Sequence, residues 1–147
     1  MRDGADGILG GSGAILPVEG GYSSKHKVGW NGHHYDHVAE VDVVCQTWFF
    51  SKKHLQYMWV ETPDTWENGE DIHFGYSALK YGGVKSYVPP HPEDDQALWS
   101  CLPDFGKMAN DGAAVHKSTG HREVRSDMVN KYRRQGWKIV EERGKGE

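Results

Sequence analysis

Residues 66–83, WENGEDIHFGYSALKYGG, decide the fold, because they contain the clearest helical period in the chain. Apolar side chains recur at helical spacing at Ile72, Tyr76 and Leu79. The two glycines that end the stretch can supply the left-handed conformation that stops a helix. The sequence therefore predicts a helix that begins at the acids of this stretch and ends at its glycines.

Two adjacent acids, Glu70 and Asp71, open the predicted helix. The positive end of the helix dipole favours ionised carboxylates in a first turn, so a well-charged helix start explains them. The same pair, with His73 close by, also has the composition of a site that holds a general base. These residues by themselves leave both interpretations open, because short motifs often occur without the associated function.

The segments around this helix follow a recognisable order. An apolar run ends at residues 42–45, an aromatic stretch with two lysines follows at residues 48–53, and a strand at residues 84–88 stops at two prolines. This order resembles the acceptor half of GT-A glycosyltransferases, especially family 2 and its relatives. In that family a strand with Val-Asp precedes an aromatic and basic stretch, and a Gly-Glu-Asp motif opens a helix over the acceptor. The resemblance covers roughly residues 10–137.

The resemblance implies an α/β fold, with a mixed sheet and flanking helices, that forms a partial GT-A (nucleotide-diphospho-sugar transferase) lobe. It implies a glycosyltransferase-like domain that moves a sugar, with inversion, from a nucleotide-sugar donor to a hydroxyl acceptor, carbohydrate or other. No Asp-x-Asp motif follows an apolar strand, so we expect the donor-binding half to be missing and the chain to be inactive alone. Residues 1–147 then form one domain, the C-terminal part of a longer glycosyltransferase domain, and residues 142–147 form a frayed tail.

The resemblance also implies roles for individual side chains. Asp71 is the expected catalytic base, and Glu70 orients the acceptor or exchanges roles with it. His116 is the candidate ligand for a divalent metal, Mn²⁺ or Mg²⁺, expected only with the complete enzyme, and His121 is its substitute. A hydrogen-bonded histidine at a strand end is the other interpretation of His116. The residues expected to bind the acceptor are Asp42, Trp48, Trp66 and His73.

Composition narrows the function class. The net charge of −4 argues against general nucleic-acid binding, which usually requires a basic surface. Two cysteines without metal-type spacing indicate a reducing compartment, and we expect a cytoplasmic protein. No apolar run approaches the roughly 20 residues of a membrane helix. Homo-oligomer formation stays open.

Two other functions fit part of the sequence. A non-catalytic carbohydrate-binding module would use the six tryptophans and seven tyrosines as stacking platforms, and it would expose several aromatic side chains in a row. A metal-dependent hydrolase would need at least three histidines to converge on one point. The transferase, in contrast, predicts that Asp42, Glu70 and Asp71 face one open groove.

The remaining segments carry weaker patterns. The region of residues 38–45 predicts a strand. Ser51 is the expected N-cap for a short helix with Leu55, Met58 and Trp59 on its inner side. A basic helix is predicted over residues 121–135, and its expected inner side chains are Val124, Met128, Val129 and Tyr132. The glycine-rich N-terminal region predicts a short strand rather than a phosphate loop, since it lacks the Lys-Ser/Thr ending.

Overall fold

The computed structural model describes residues 6–23, 26–30, 33–99 and 115–144. Within these ranges the protein is α/β, with a curled sheet of mixed strand direction and helices packed on it. The strands are β1 (Ile8–Ala14), β2 (Lys27–Val28), β3 (Ala39–Val41), β4 (Val43–Phe49) and β5 (Ser86–Val88). The α-helices are α1 (Glu70–Gly82), α2 (His121–Arg134) and α3 (Val140–Arg143). Short 3-10 helices cover Lys52–Trp59, Gln96–Leu98 and Val115–Lys117.

Strand β1 is the centre of the sheet. It pairs antiparallel with β4 along one edge, and its other edge is shared by β5, which is parallel, and β2, which is antiparallel. Strand β3 pairs antiparallel with β5. Only Asp42 separates β3 from β4, so one continuous segment pairs first with β5 and then with β1, and the sheet curls around β1.

Glycines in β1 permit this curling. A Cβ atom on Gly13 would lie 2.9 Å from side-chain carbons of Val41 and Val88, and one on Gly10 would lie 2.8 Å from Val44. Neighbouring strands can therefore approach β1 more closely than a larger side chain would allow. The predicted strand in the glycine-rich region is confirmed, although it lies earlier and is longer than the apolar residues suggested.

Helix α1 confirms the strongest prediction from sequence. It begins at Glu70 and ends at Gly82, and left-handed glycines flank it, Gly69 with φ 91° and Gly83 with φ 63°. Residues 71–78 are all buried, because α1 lies between the sheet and α2. Its side chains serve two core clusters. Phe74 and Ala78 belong to the cluster on the sheet, and Ile72, Tyr76 and partly buried Leu79 belong to the cluster with α2.

Four predictions about local structure were wrong in part. The strand expected at residues 38–45 is interrupted at Asp42. The segment after Ser51 is a 3-10 helix without a side-chain cap. It buries His54 and packs Met58 against the core, but it leaves Leu55 and Trp59 exposed. Val124 is also exposed, while the other expected inner residues of α2 are buried. The frayed tail was expected from residue 142, but Glu142 and Arg143 lie in α3, and residues 145–147 lie outside the described ranges.

Candidate functional site

A cavity of about 340 Å³ lies between the sheet and the start of α2. We call it the basic cavity. Its wall is formed by the C-terminal half of β1, by β4, by the segment around β2, and by residues at and before the start of α2. The lining residues are Ser12, Gly13, Ala14, Tyr22, Lys27, Trp30, Cys45, Gln46, His116, His121 and Arg122.

A β-bulge shapes the β4 side of this cavity. The pairing of β1 with β4 shifts register between Gly10 and Ser12, and Gln46 lies at the shift with φ 62°. A left-handed conformation is unfavourable for a residue with a side chain, by about 1–2 kcal/mol. Bulges and strained residues of this kind often occur beside functional sites, where they redirect a side chain. Here the strained Gln46 is itself part of the cavity wall.

The cavity wall is cationic. Lys27 and Arg122 contribute positive charge, His116 and His121 add two imidazoles, and the described lining residues include no carboxylate. Burial lowers the pKa of His121, and the nearby charges of Arg125 and His116 lower it further. Such a wall repels cations and attracts an anionic ligand.

Two polar atoms at the cavity lack hydrogen-bond partners among the described residues. The Ser12 hydroxyl is one, on a side chain only 1% exposed, and His121 Nδ1 is the other. Buried polar groups are usually paired, so each unpaired one calls for an explanation. A ligand that brings oxygen acceptors into the cavity would supply these partners.

Asp71 lies directly behind this wall in a buried ion pair with Arg125. Arg125 Nη1 donates to Asp71 Oδ1 at 2.9 Å, and Nη2 donates to Oδ2 at 2.6 Å. The guanidinium carbon lies 4.2 Å from the ring centre of Tyr22, a lining residue. Burial raises the pKa of the Cys45 thiol to about 12, and the Asp71 charge adds to this shift. The predicted base is thus adjacent to the basic cavity, with both oxygens bound to an arginine.

Asp42 is buried and bound to backbone groups, so its surroundings give no support to the expectation that it binds the acceptor. Its side chain is fully buried. Oδ2 accepts from the backbone N–H of Leu16, and Oδ1 accepts from that of Val140, each at 2.8 Å. Burial raises its pKa to about 6 despite these bonds. Asp42 therefore joins the end of β1 to the start of α3.

Glu70 and Trp66 lie together on another surface. They belong to an exposed groove of about 250 Å³, which we call the tryptophan groove, lined by Leu55, Met58, Trp59, Pro63, Thr65, Trp66, Asn68, Glu70 and His73. His73 is fully buried, so it lines this groove from the protein interior. Its Nδ1 is 2.9 Å from the Tyr132 hydroxyl, and its Nε2 is 3.2 Å from the Met58 carbonyl oxygen.

Because a carbonyl oxygen only accepts, Nε2 of His73 carries the hydrogen, and Nδ1 then accepts from the Tyr132 hydroxyl. Burial lowers the pKa of His73, in agreement with a neutral ring. This histidine supports the packing of α1 against its neighbours. Trp48, the remaining residue expected at the acceptor, stacks on Phe74 at the edge of the core, with 5.9 Å between ring centres.

The common groove predicted for Asp42, Glu70 and Asp71 does not form. Asp42 is buried beneath α3, Glu70 is exposed in the tryptophan groove, and Asp71 is paired behind the basic cavity. Asp71 does lie close to the two candidate histidines. His116 and His121 line the basic cavity, and the Asp71 charge acts on His121.

Sequence reasoning missed six contributors to the site: Ser12, Tyr22, Lys27, Gln46, Arg122 and Arg125. The sequence did contain one sign of the role of Arg125. A charged residue on the inner side of an amphipathic helix requires a buried partner. Its partner is 54 positions away, so its identity follows only from the fold. The bulge at Gln46 has no marker in the sequence, because a glycine is the usual sign of that backbone conformation.

Comparisons with protein-family models, curated proteins and solved structures found no match to this chain. The resemblance to GT-A glycosyltransferases therefore stays a prediction. Within the described ranges, no helix has the length and apolar character needed to cross a bilayer. The same residues contain no group of three or more His, Cys, Asp or Glu side chains arranged to hold a metal ion.

Proposed function

We propose that this chain forms the acceptor side of a nucleotide-sugar-dependent glycosyltransferase, with Asp71 as the base and the basic cavity as the place of the departing diphosphate. One observation supports this proposal above the others. The Asp71 carboxylate, fixed by Arg125, lies against a cavity whose described wall is cationic and has unpaired donors.

The chemistry needs two elements close together. Inverting transfer to a hydroxyl needs a carboxylate that takes the acceptor proton, while the bond between the sugar carbon and the diphosphate oxygen breaks. The negative charge that develops on that oxygen needs fixed cationic groups or hydrogen-bond donors. Asp71 would serve the first need, with Arg125 holding its orientation. Lys27, Arg122 and the Ser12 hydroxyl would serve the second.

The cavity size fits part of such a substrate. About 340 Å³ is near the lower end of the range for small-molecule sites, so a diphosphate and the reacting sugar would fill it. The base and ribose of a nucleotide would need further surface. This agrees with the expectation from sequence that another part of the enzyme binds the nucleotide.

The described residues do not themselves form a metal site. His116 and His121 share the cavity, but no third ligand completes a set within the described ranges. A divalent ion would therefore depend on ligands outside these residues, such as diphosphate oxygens. We keep His116 as a candidate ligand and assign charge neutralisation to Lys27 and Arg122. The hydrolase alternative lacks the three converging ligands it requires in this part of the chain.

Calorimetric titration of the chain with pyrophosphate and with nucleoside diphosphates tests the cavity. We expect saturable binding that Arg122→Gln and Lys27→Gln each weaken by about tenfold, because each removes one charge from the wall. Lys52→Gln is the matched control, since Lys52 is an exposed lysine outside the cavity. Equal weakening by the control, or no binding at all, would overturn the diphosphate site.

Transfer itself needs the complete enzyme, natural or reconstituted with a donor-binding half. Replacing the base should lower turnover by roughly 10² to 10⁴ while donor affinity changes little. Because Asp71 also neutralises Arg125, turnover is best compared between Arg125→Met and the double variant Arg125→Met/Asp71→Asn. Similar turnover in the two variants would rule out Asp71 as the base.

A further inference from the structure

The tryptophan groove lies at the start of α1, and none of its lining residues lines the basic cavity. Trp59 and Trp66 stack on one another there, with ring centres 6.4 Å apart and planes inclined by 24°. They are 63% and 73% exposed. Large indole rings are seldom left this open, and adjacent exposed aromatic rings usually mark a surface that binds something.

Polar groups surround the two rings. Asn68 Oδ1 is buried at the groove and has no hydrogen-bond partner among the described residues. The Glu70 carboxylate is exposed at the groove, and the described residues provide it with no hydrogen bond or ion pair. The Thr65 hydroxyl accepts from the backbone N–H of Glu67, so its own hydrogen remains available for donation. The groove thus offers aromatic faces together with two acceptors and one donor.

We propose that the tryptophan groove binds a carbohydrate, with the apolar face of a pyranose ring against Trp59 and Trp66. A sugar ring has one face rich in C–H groups, which packs on an aromatic face, and a rim of hydroxyls that donate and accept. Glu70 and Asn68 accept from these hydroxyls, and Thr65 donates to one of them. The volume of about 250 Å³ matches one or two sugar units better than a long chain.

Two other occupants have a weaker fit. A quaternary ammonium ion needs aromatic faces that enclose it, and near-parallel rings 6.4 Å apart leave no room for an ion between them. A second copy of the chain would need a broader apolar surface than this groove supplies, since stable interfaces bury roughly 1,200 Å² or more. Carbohydrate binding does not depend on the transferase proposal, because it needs no chemistry at Asp71 and no anion in the basic cavity.

The test is a titration of the chain with a panel of disaccharides of glucose, galactose and N-acetylglucosamine in α and β linkages. Tryptophan fluorescence and the indole N–H signals of Trp59 and Trp66 report binding. We expect at least one sugar to bind with millimolar affinity. Trp66→Ala should weaken it by about tenfold, because it removes a central stacking ring, and Trp66→Phe should retain most of the binding. Phe49→Ala is the matched control, since Phe49 is 74% exposed but lies outside the groove.

Four results would overturn the proposal. One is the absence of any response to the sugars, and another is binding that survives loss of both tryptophans. The third is a preference for choline over every sugar, which would assign the groove to a cation. Sedimentation of the wild type and of Trp66→Ala completes the set, because a dimer lost in the variant would assign the groove to a second copy. Pyrophosphate titration reports only on the basic cavity, so failure of one site is distinguishable from failure of the other.

Discussion

The buried ion pair between Asp71 and Arg125 is the contact whose loss should harm the fold most. The perturbation is Asp71→Asn, which keeps the size of the side chain and removes its charge. Arg125 is 6% exposed, and its guanidinium would keep its charge after the change. Its Nε has no hydrogen-bond partner among the described residues even in the intact protein. An uncompensated cation would then remain buried between α1 and α2.

The magnitude follows from this burial. Removing one partner of a buried pair typically costs about 3–5 kcal/mol, because the remaining charge loses its compensation. Unfolding entropy is about 2.1 cal/mol/K per residue, so a chain of 147 residues loses about 3 °C of melting temperature per kcal/mol. We therefore expect Asp71→Asn to melt about 10–15 °C below the wild type.

Calorimetric melting and urea unfolding measure this change, and a double-mutant cycle identifies its cause. Arg125→Met removes the charge and keeps an apolar stem over Tyr22. The double variant Asp71→Asn/Arg125→Met should recover at least half of the stability lost in Asp71→Asn. Glu70→Gln is the control, because the Glu70 carboxylate is next to Asp71 in the sequence but is exposed. A loss below about 1 kcal/mol in Asp71→Asn, or a double variant no better than it, would refute the reasoning.

Three further changes test separate contacts. Gly75→Ala should lower the free energy of unfolding, measured with urea, by about 1–3 kcal/mol, because the new Cβ would lie 2.7 Å from the Asp42 carbonyl oxygen. Gly144→Ala is the control and should lower it much less, because its Cβ would lie 3.8 Å from the nearest atom. Gln46→Gly should raise the melting temperature by about 3 °C if the left-handed backbone is strained, and an unchanged or lower value would argue against strain. Burial lowers the pKa of His73, so as the pH falls the unfolded chain binds a proton at this histidine before the folded protein does. Stability should therefore fall below about pH 6.5, and a His73→Gln protein with the same pH profile as the wild type would contradict this.

Asp42 should impose the opposite pH dependence. Its pKa is raised from 3.8 to about 6 in the folded protein, so the folded state holds the proton more tightly than the unfolded state. Its contribution is therefore largest below about pH 4, decreases as the pH rises to about 6, and is constant above that. Urea unfolding of His73→Gln and of His73→Gln/Asp42→Asn between pH 4 and 7 isolates this term as the difference between the two pH profiles, because His121, whose pKa burial also lowers, is present in both proteins. Parallel profiles would be the contrary result.

The sequence predicted α1 well because several independent signals agree there. The apolar period, the acids of the first turn and the two final glycines all favour the same limits. The strand β1 was harder to locate, because glycines that permit close strand approach are also typical of loops. The prediction for Asp42 rested on a sound principle, because a carboxylate in an apolar strand must be paired or lie at a cleft. The structure contains the paired solution, with partners 26 and 98 positions away.

The acids of the Glu70 and Asp71 pair separate because they are neighbours on a helix. Successive residues of an α-helix point about 100° apart, so two adjacent carboxylates cannot face the same narrow cleft. Asp71 turns towards α2 and meets Arg125, and Glu70 turns towards the tryptophan groove. An adjacent pair at a helix start therefore predicts two different environments, one on each side of the first turn.

This separation also limits how the two acids can share a reaction. If Asp71 takes the acceptor proton at the basic cavity, Glu70 cannot exchange roles with it without unwinding the first turn of α1. Glu70 can still bind a hydroxyl of a sugar held in the tryptophan groove. Glu70→Gln should therefore change sugar affinity and leave diphosphate binding unaltered, whereas Arg122→Gln should do the reverse. If both variants changed both affinities, the two surfaces would have to act as one site, and the division of roles by helix geometry would fail.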